Sequence, residues 1–337
     1  MRYLSVCSGI EAATVAWEPL GWQPVGFCEI HPFASAVLAH HYAKVRNYGD
    51  FTRLLDADFP VHTIGADLLV GGTPCQPFSV AGFKQGFNDP RGGLTLAFLQ
   101  LARALRPRWV VWENVPGVLL QDGGRSFGAV LGALGELGYG WAYRVLDAQY
   151  VRVDGYPRAV PQRRRRVFVV GHSGGDFAGA AAVLLEPEGL RSLSAPRRAQ
   201  GAGATSRAAG GADSSSSWLS EQAQQPVVFD GAQITSPMNR SVPKAGDPCY
   251  PLAANGHPPV VALGTQPVSI RRMTPIECER LQGFPDDYTR IPWKKIPASS
   301  CPNKIRYRAL GNSMAVNVMR WLGYRIAMVE AANYEKS

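Results

Sequence analysis

The sequence predicts an α/β protein with a parallel, doubly wound sheet and a second, smaller and irregular domain. Three observations carry this. Apolar runs of four or five residues alternate with longer amphipathic stretches up to about residue 171; the alternation then stops; and small or acidic residues follow the apolar runs. Such alternation marks strand–helix–strand units, in which each crossover helix returns the chain to the same end of the sheet and so makes the strands parallel.

Residues 3–6 form the first expected strand and 12–20 the first helix, followed by a strand at 25–29 and a helix at 32–42. A third strand falls at 67–70, a long helix at 94–105, a buried strand at 109–112, another helix at 127–137 and a closing strand at 167–170. Across 172–268 Ala, Gly, Ser and Pro dominate and helical periodicity fades. The stretch 195–217, with Ser214-Ser215-Ser216-Ser217, reads as a flexible loop or linker. Short strand-like pieces follow at 226–229 and 259–263, and regular texture returns from 269, ending in a helix over 314–328.

At 337 residues and 46% hydrophobic, the chain is long enough for roughly two domains of ~100–200 residues and apolar enough for a real core. Lys and Arg number 35 against 26 Asp and Glu, a net charge of +9 that suits a polyanionic partner. Cys7, Cys28, Cys75, Cys249, Cys278 and Cys301 include no C-x-x-C pair and are too sparse for a disulfide framework. Neither a zinc site nor a secreted scaffold is therefore expected. No apolar run reaches the ~20 residues of a membrane span, and the first residues lead straight into a strand. The expectation is a soluble, intracellular protein.

Four segments carry chemistry. Cys7-Ser8-Gly9-Ile10-Glu11 follows the first strand, where small residues let a ligand approach the carboxyl edge of the sheet. Glu29 ends the second strand, where an acid can accept hydrogen bonds from ribose hydroxyls, and Asp50 after Gly49 can take an adenine amine. Without a full G-x-G-x-x-G the first loop also reads as a plain turn, and Glu29 as a solvated strand end. Gly71-Gly72-Thr73-Pro74-Cys75-Gln76-Pro77-Phe78-Ser79 places a thiol at the same edge between two stiffening prolines. A buried structural thiol is the alternative. The following loop, with Gly82, Lys84, Gly86, Arg91, Gly92 and Gly93, has the make-up of a hinged, phosphate-touching lid. Trp112-Glu113-Asn114-Val115 sets a carboxylate after the fourth strand, where burial would favour its protonated form; a strand-end acid facing water is the plainer reading. In Gln162-Arg163-Arg164-Arg165-Arg166 side chains alternate, so Arg164 and Arg166 should share a face, unless the run is a general basic patch.

In this order these blocks resemble the cytosine-5 DNA methyltransferases. So do Arg272-Met273-Thr274-Pro275-Ile276-Glu277 through Gly283-Phe284-Pro285, and Tyr307-Arg308-Ala309-Leu310-Gly311-Asn312-Ser313. The resemblance covers about 1–171 and 269–325 and leaves out the middle. It implies a Rossmann-like methyltransferase sheet with S-adenosylmethionine as cofactor. Cys75 would be the nucleophile and Glu113 the acid contacting the cytosine ring; Arg164 and Arg166, on the family's paired-arginine positions, would complete the catalytic set, with Arg166 helping to hold the base near the thiolate and Glu113. Ser8, Gly9, Ile10, Glu29, Ile30, Asp50, Pro74, Leu94, Phe284, Asn312 and Ser313 would line the cofactor pocket. Residues 172–268 would recognise the target, and 269–337 would form a hinge and a helix returning to the catalytic domain. Gln76, Ser79, Lys84, Arg91, Arg240 and Asn255 would touch DNA, with base readers sought in 233–240 and 255–257. One departure concerns the first loop, where the family carries aromatics and a Gly-Gly pair and this chain has Cys7, Glu11, Ala12 and Ala13.

The implied activity is methyl transfer to carbon 5 of a cytosine flipped out of duplex DNA, through a Cys75 adduct at carbon 6. The implied partners are double-stranded DNA and, in some settings, a cognate restriction endonuclease. The implied enzyme is a cytoplasmic monomer of bacterial or phage origin without a metal. An RNA methyltransferase of the same fold and a non-catalytic DNA-binding relative are the rival readings.

Overall fold

The structure is a computed structural model that describes residues 1–74, 93–153, 160–185, 227–229, 247–249, 252, 259–263 and 269–334. The chain forms two compact units. One comprises Met1–Leu146, Arg165–Arg191 and Met319–Ser337, and the other Asp147–Arg164 and Ser192–Val318.

In the first unit the early strands form where apolar runs are shortest and densest. They are β1 (Arg2–Val6), β2 (Gln23–Cys28), β3 (Leu68–Gly71) and β4 (Trp109–Asn114), followed by β5 (Tyr139–Asp147) and β6 (Arg165–Ser173). The six strands lie in the order β2-β1-β3-β4-β6-β5. β1 pairs parallel with β2 and β3, β3 pairs parallel with β4, and β6 runs antiparallel to β4. β3 is buried at every position and β1 at all but its first. Because side chains alternate between faces, both faces of the central sheet are covered, as in doubly wound folds. The covering helices include α1 (Ala12–Trp17), α2 (Pro32–His41), α3 (Gly93–Leu105), α4 (Arg125–Glu136) and α5 (Phe177–Leu184).

Two expectations change. The helix expected over 12–20 ends at Trp17 and tightens into a 3-10 turn at Glu18–Leu20, where Pro19 has no amide hydrogen to continue the α pattern. The sheet is not wholly parallel. β5, which the sequence reading passed over, has mixed burial. Among the described residues no crossover helix separates it from β6, so nothing returns the chain to the parallel sense before β6 enters beside β4.

The chain reverses direction along the sheet between β1 and β3, which opens a crevice at their carboxyl ends. Close packing there depends on Gly71. A Cβ on it would lie 2.6 Å from Val6 Cγ2 and 2.9 Å from Val6 O. We expect Gly71→Ala to cost about 1–3 kcal/mol of stability, read by denaturant unfolding; a neutral substitution would mean that β1 and β3 can spread.

In the second unit β7 (Val227–Phe229), β8 (Val260–Leu263) and β9 (Ser269–Arg272) form an antiparallel sheet in that order. Beside them stand α6 (Pro275–Gln282), begun by a Thr274–Glu277 capping box, and α7 (Asn303–Asn312). The last helix, α8, spans Val316–Tyr334. Its residues from Met319 onward belong to the first unit, where Trp17 Nε1 donates to Met319 O at 2.7 Å and Trp109 Nε1 to Glu330 Oε1 at 2.8 Å. No described helix is long and apolar enough to cross a membrane.

Candidate active site

The loop after β1 turns through three left-handed residues, Cys7 (φ 49°), Gly9 (φ 58°) and Glu11 (φ 67°). Glycine takes this conformation freely, whereas cysteine and glutamate do so at a cost of order 1–3 kcal/mol that the surroundings must offset. The offset is visible in the hydrogen bonds. Ser8 Oγ donates to Ser5 O at 2.9 Å and accepts from Cys28 N at 3.1 Å. Glu11, almost fully buried, caps α1 by accepting from Thr14 N at 3.2 Å. Ile10 is 0% exposed and lies among the buried residues of this loop.

Burial pushes the Glu11 carboxyl up to about 7 from 4.5, against hydrogen bonds from Ser5 and Thr14 that lower it. Between those values the folded state keeps a proton that the unfolded state releases. The stability contributed by the neutral form is therefore fully present below pH 4.5 and is lost as the pH rises through 7. Glu11→Gln, neutral at every pH, should raise stability by about 1–3 kcal/mol at about pH 8 and change it little in acid. Equal effects at both pH values would contradict this reading.

Glu29 ends β2 with its carboxylate turned back to the loop. Gly9 N donates to Oε2 at 2.7 Å and His31 N to Oε1 at 2.6 Å. Asn47, which the sequence reading missed, brackets the same residue: its Oδ1 accepts from Glu29 N at 3.0 Å and its Nδ2 donates to Glu29 O at 3.1 Å. A carboxylate has about four acceptor positions, so two remain for hydroxyl donors. Next to it Ile30 is 72% exposed, an apolar surface that a flat ring can cover. Asp50 Oδ1 accepts from Thr52 N and Thr52 Oγ1, at 3.0 and 2.8 Å. These features fit a nucleoside. Leu94 is partly buried on α3 against the core and Pro74 is exposed.

At the ends of β3 and β4 a second set of contacts draws two strand edges together. Trp112 Nε1 donates to Thr73 Oγ1 at 2.9 Å, Thr73 and Thr95 share a hydroxyl contact at 3.0 Å, and Asn114 Nδ2 donates to Thr73 O at 3.1 Å. The Thr73-Pro74 step leading to Cys75 is thus held against the end of β4. Glu113 stands opposite Phe168 in the ladder, and Arg166, two residues before Phe168, reaches it diagonally with Nε 3.0 Å from Glu113 Oε1.

The arginine run alternates as expected: Arg164 and Arg166 are sheltered, Arg163 and Arg165 exposed. Arg164 lies in the second unit, 3% exposed, and its guanidinium donates to Gly311 O at 3.2 Å and to Ser313 O. These contacts hold the turn after α7. Asn312 is exposed at the end of α7, Ser313 is buried, and Phe284 is buried and stacked on Tyr288 at 4.8 Å, all in that second unit.

Cys75, Gln76, Ser79, Lys84, Arg91, Arg240 and Asn255 lie outside the described residues, as do 195–217, 233–240 and 255–257. Among the described cysteines, burial pushes Cys7 up to about 12, helped by Glu29 and Asp50, and also raises Cys28, Cys278 and Cys301. Burial thus disfavours the thiolate form of all four. Among the described residues no cluster of His, Cys, Asp and Glu could hold a metal.

Solved structures share this fold. The Schizosaccharomyces pombe Dnmt2 methyltransferase matches at a TM-score of 0.59 and 19% identity, over 98% of this chain and 99% of that one. The Entamoeba histolytica methyltransferase EhMeth matches at 0.58 and 15%, over 97% of each. A doubly wound sheet of this kind, with its acidic and small residues gathered at the carboxyl edge, is that of an α/β methyltransferase. The chain belongs to the C-5 cytosine-specific DNA methylase family, whose model matches residues 1–182 and 198–328. Among curated relatives, a DNA N-6-adenine-methyltransferase of Escherichia phage P1 is 32% identical over 99% of this chain, which spans 62% of the phage protein. The type II methyltransferase M2.BsuMI of Bacillus subtilis is 28% identical over 97% of this chain and 75% of its own length. For M.DsaV of Dactylococcopsis salina the values are 27%, 97% and 86%.

Proposed function

We propose that the chain transfers a methyl group from S-adenosylmethionine to carbon 5 of a cytosine flipped out of duplex DNA. The observation that carries this reading is the Arg166–Glu113 pair at the end of β4, beside the anchored Thr73-Pro74 step that leads to Cys75. Glu29, Ile30, Asp50 and the backbone of the first loop would hold the cofactor, which supplies an electrophilic methyl group.

Carbon 5 of cytosine is a weak nucleophile. The Cys75 thiolate adds to carbon 6, a carbon–sulfur bond forms, and the electron pair of the 5,6 double bond moves towards carbon 5. Glu113 gives a proton to ring N3, and Arg166 fixes that carboxyl group in place. After methylation a base removes the carbon 5 proton, its electron pair re-forms the 5,6 double bond, the carbon–sulfur bond breaks so that the thiolate leaves, and N3 returns its proton to Glu113. The base must be unstacked first, because the thiol approaches from above the ring. Residues 172–268 would read the target sequence. The protein would work as a cytoplasmic monomer, alone or beside a cognate restriction endonuclease.

The name of the phage P1 relative favours a second reading, methylation of adenine N6. An exocyclic amine can attack the methyl group without a covalent thiol adduct, so Cys75 and Glu113 would then have no role. Nucleoside analysis and bisulfite sequencing of plasmid from expressing cells decide between them. Protected cytosines in one short motif are expected; N6-methyladenine without 5-methylcytosine would overturn the proposal. Competition between duplex DNA and transfer RNA separates it from an RNA enzyme.

A further inference from the structure

At the opposite end of the sheet from the candidate active site, the first unit has a cavity of about 560 Å³, within the ~300–1,000 Å³ range of small-molecule pockets. It lies at the start of β1 and β2, its lining includes Arg2, Arg46, Tyr48, Phe59, Thr63 and residues 23–25, and no acidic residue is in that lining. Its wall is built. Residues 46–48 run along the outer edge of β2, with Phe27 N donating to Arg46 O at 2.9 Å and Tyr48 N to Phe27 O at 2.8 Å. Alternation along this edge sends Asn47 to Glu29 and leaves Arg46 and Tyr48 facing the cavity. The Tyr48 ring lies so close over β2 that a Cβ on Gly26 would meet it at 2.5 Å. Arg46 stacks on that ring at 4.7 Å, and Phe59 meets it edge-on at 5.8 Å.

Among the described residues, several arginines are neutralised or held by acceptors: Arg166 by Glu113, Arg271 by Glu277, Arg306 by Glu279 and Arg164 by carbonyls. Arg2 and Arg46 share a cavity, and neither guanidinium has a carboxylate or carbonyl partner among the described residues. Both guanidinium groups border a cavity whose lining holds no carboxylate, so an anion entering it meets positive charge without a competing counter-ion.

We propose that this cavity binds the phosphate of a nucleotide, with Arg2 and Arg46 on the phosphate and the Tyr48 and Phe59 rings beside the base. The phosphate comes from a free nucleotide or from a nucleic-acid strand; both offer the same group to the same fork of donors.

The test is calorimetric titration of the full chain, with S-adenosylhomocysteine saturating the cofactor loop. The probes are thymidine 5′-phosphate, thymidine and a twelve-residue oligothymidylate, none containing cytosine. Thymidine should bind at least about tenfold more weakly than its phosphate, and Arg2→Gln and Arg46→Gln should each weaken phosphate binding by about tenfold or more. Much tighter binding of the oligonucleotide, lost in the same variants, assigns the site to a strand; equal binding assigns it to a free nucleotide. No binding of either phosphorylated probe, or binding unchanged in both variants, overturns the proposal. Both arginines are exposed, and circular dichroism of the variants checks that the fold is kept.

Discussion

Cys75→Ser should abolish methylation of plasmid DNA while the melting temperature stays that of the parent chain. A serine hydroxyl is not ionised near neutral pH, and without addition at carbon 6 the ring has no electron density to offer at carbon 5. Burial also moves Cys7, Cys28, Cys278 and Cys301 away from the thiolate form, so none of these four is poised to take over the role. The same variant should form no denaturation-resistant adduct with 5-fluorocytosine duplex, in which the missing carbon 5 proton traps the parent enzyme. Residual 5-methylcytosine in cells expressing only the serine variant would refute the nucleophile assignment.

Arg306→Ala should destabilise the second unit by about 3–5 kcal/mol. Arg306 is nearly buried, and its Nη2 lies 3.0 Å from Glu279 Oε1 while its Nε donates to Thr289 Oγ1 at 2.9 Å. Glu279 is 0% exposed and also accepts from Thr289 N at 2.8 Å. Removing the guanidinium leaves a carboxylate in the interior without its counter-charge, which costs more than the lost hydrogen bonds alone. Adding Glu279→Gln to the variant should recover part of the loss, since no isolated charge is then buried. Denaturant unfolding measures both. A loss below about 1 kcal/mol for Arg306→Ala would show that water reaches the site and replaces the arginine.

Much of the fold was legible in local order. The strands at 3–6, 25–29, 67–70 and 109–112 announced themselves as apolar runs too short for helices, and residues just beyond them had to lie at one edge because parallel strands end together. β5 was passed over although Tyr139, Trp141, Tyr143 and Val145 stand at alternate positions, because Gly140 and Ala142 between them give no polar face to contrast with. The cofactor residues show the same division. The strand-end position of Glu29 could be read from the chain, but the bracket that Asn47 places on it could not. The burial of Ile10 was not legible either, since nothing in a short loop tells which of its side chains turns inward.

By itself the sequence determined the doubly wound class, the acids and small residues at the sheet edge, and the alternation that shelters Arg164 and Arg166. Those follow from periods of two and 3.6 residues, which near neighbours set. The tertiary structure decided which partners these side chains meet. Arg166 reaches Glu113, 53 positions away in the chain, only because β6 enters antiparallel beside β4. Asn114 holds Thr73 across 41 positions, and Arg164 holds carbonyls 147 and 149 positions on. A hydrogen bond needs its atoms placed within a few tenths of an ångström, and at such separations that placement comes from the packing of the whole chain.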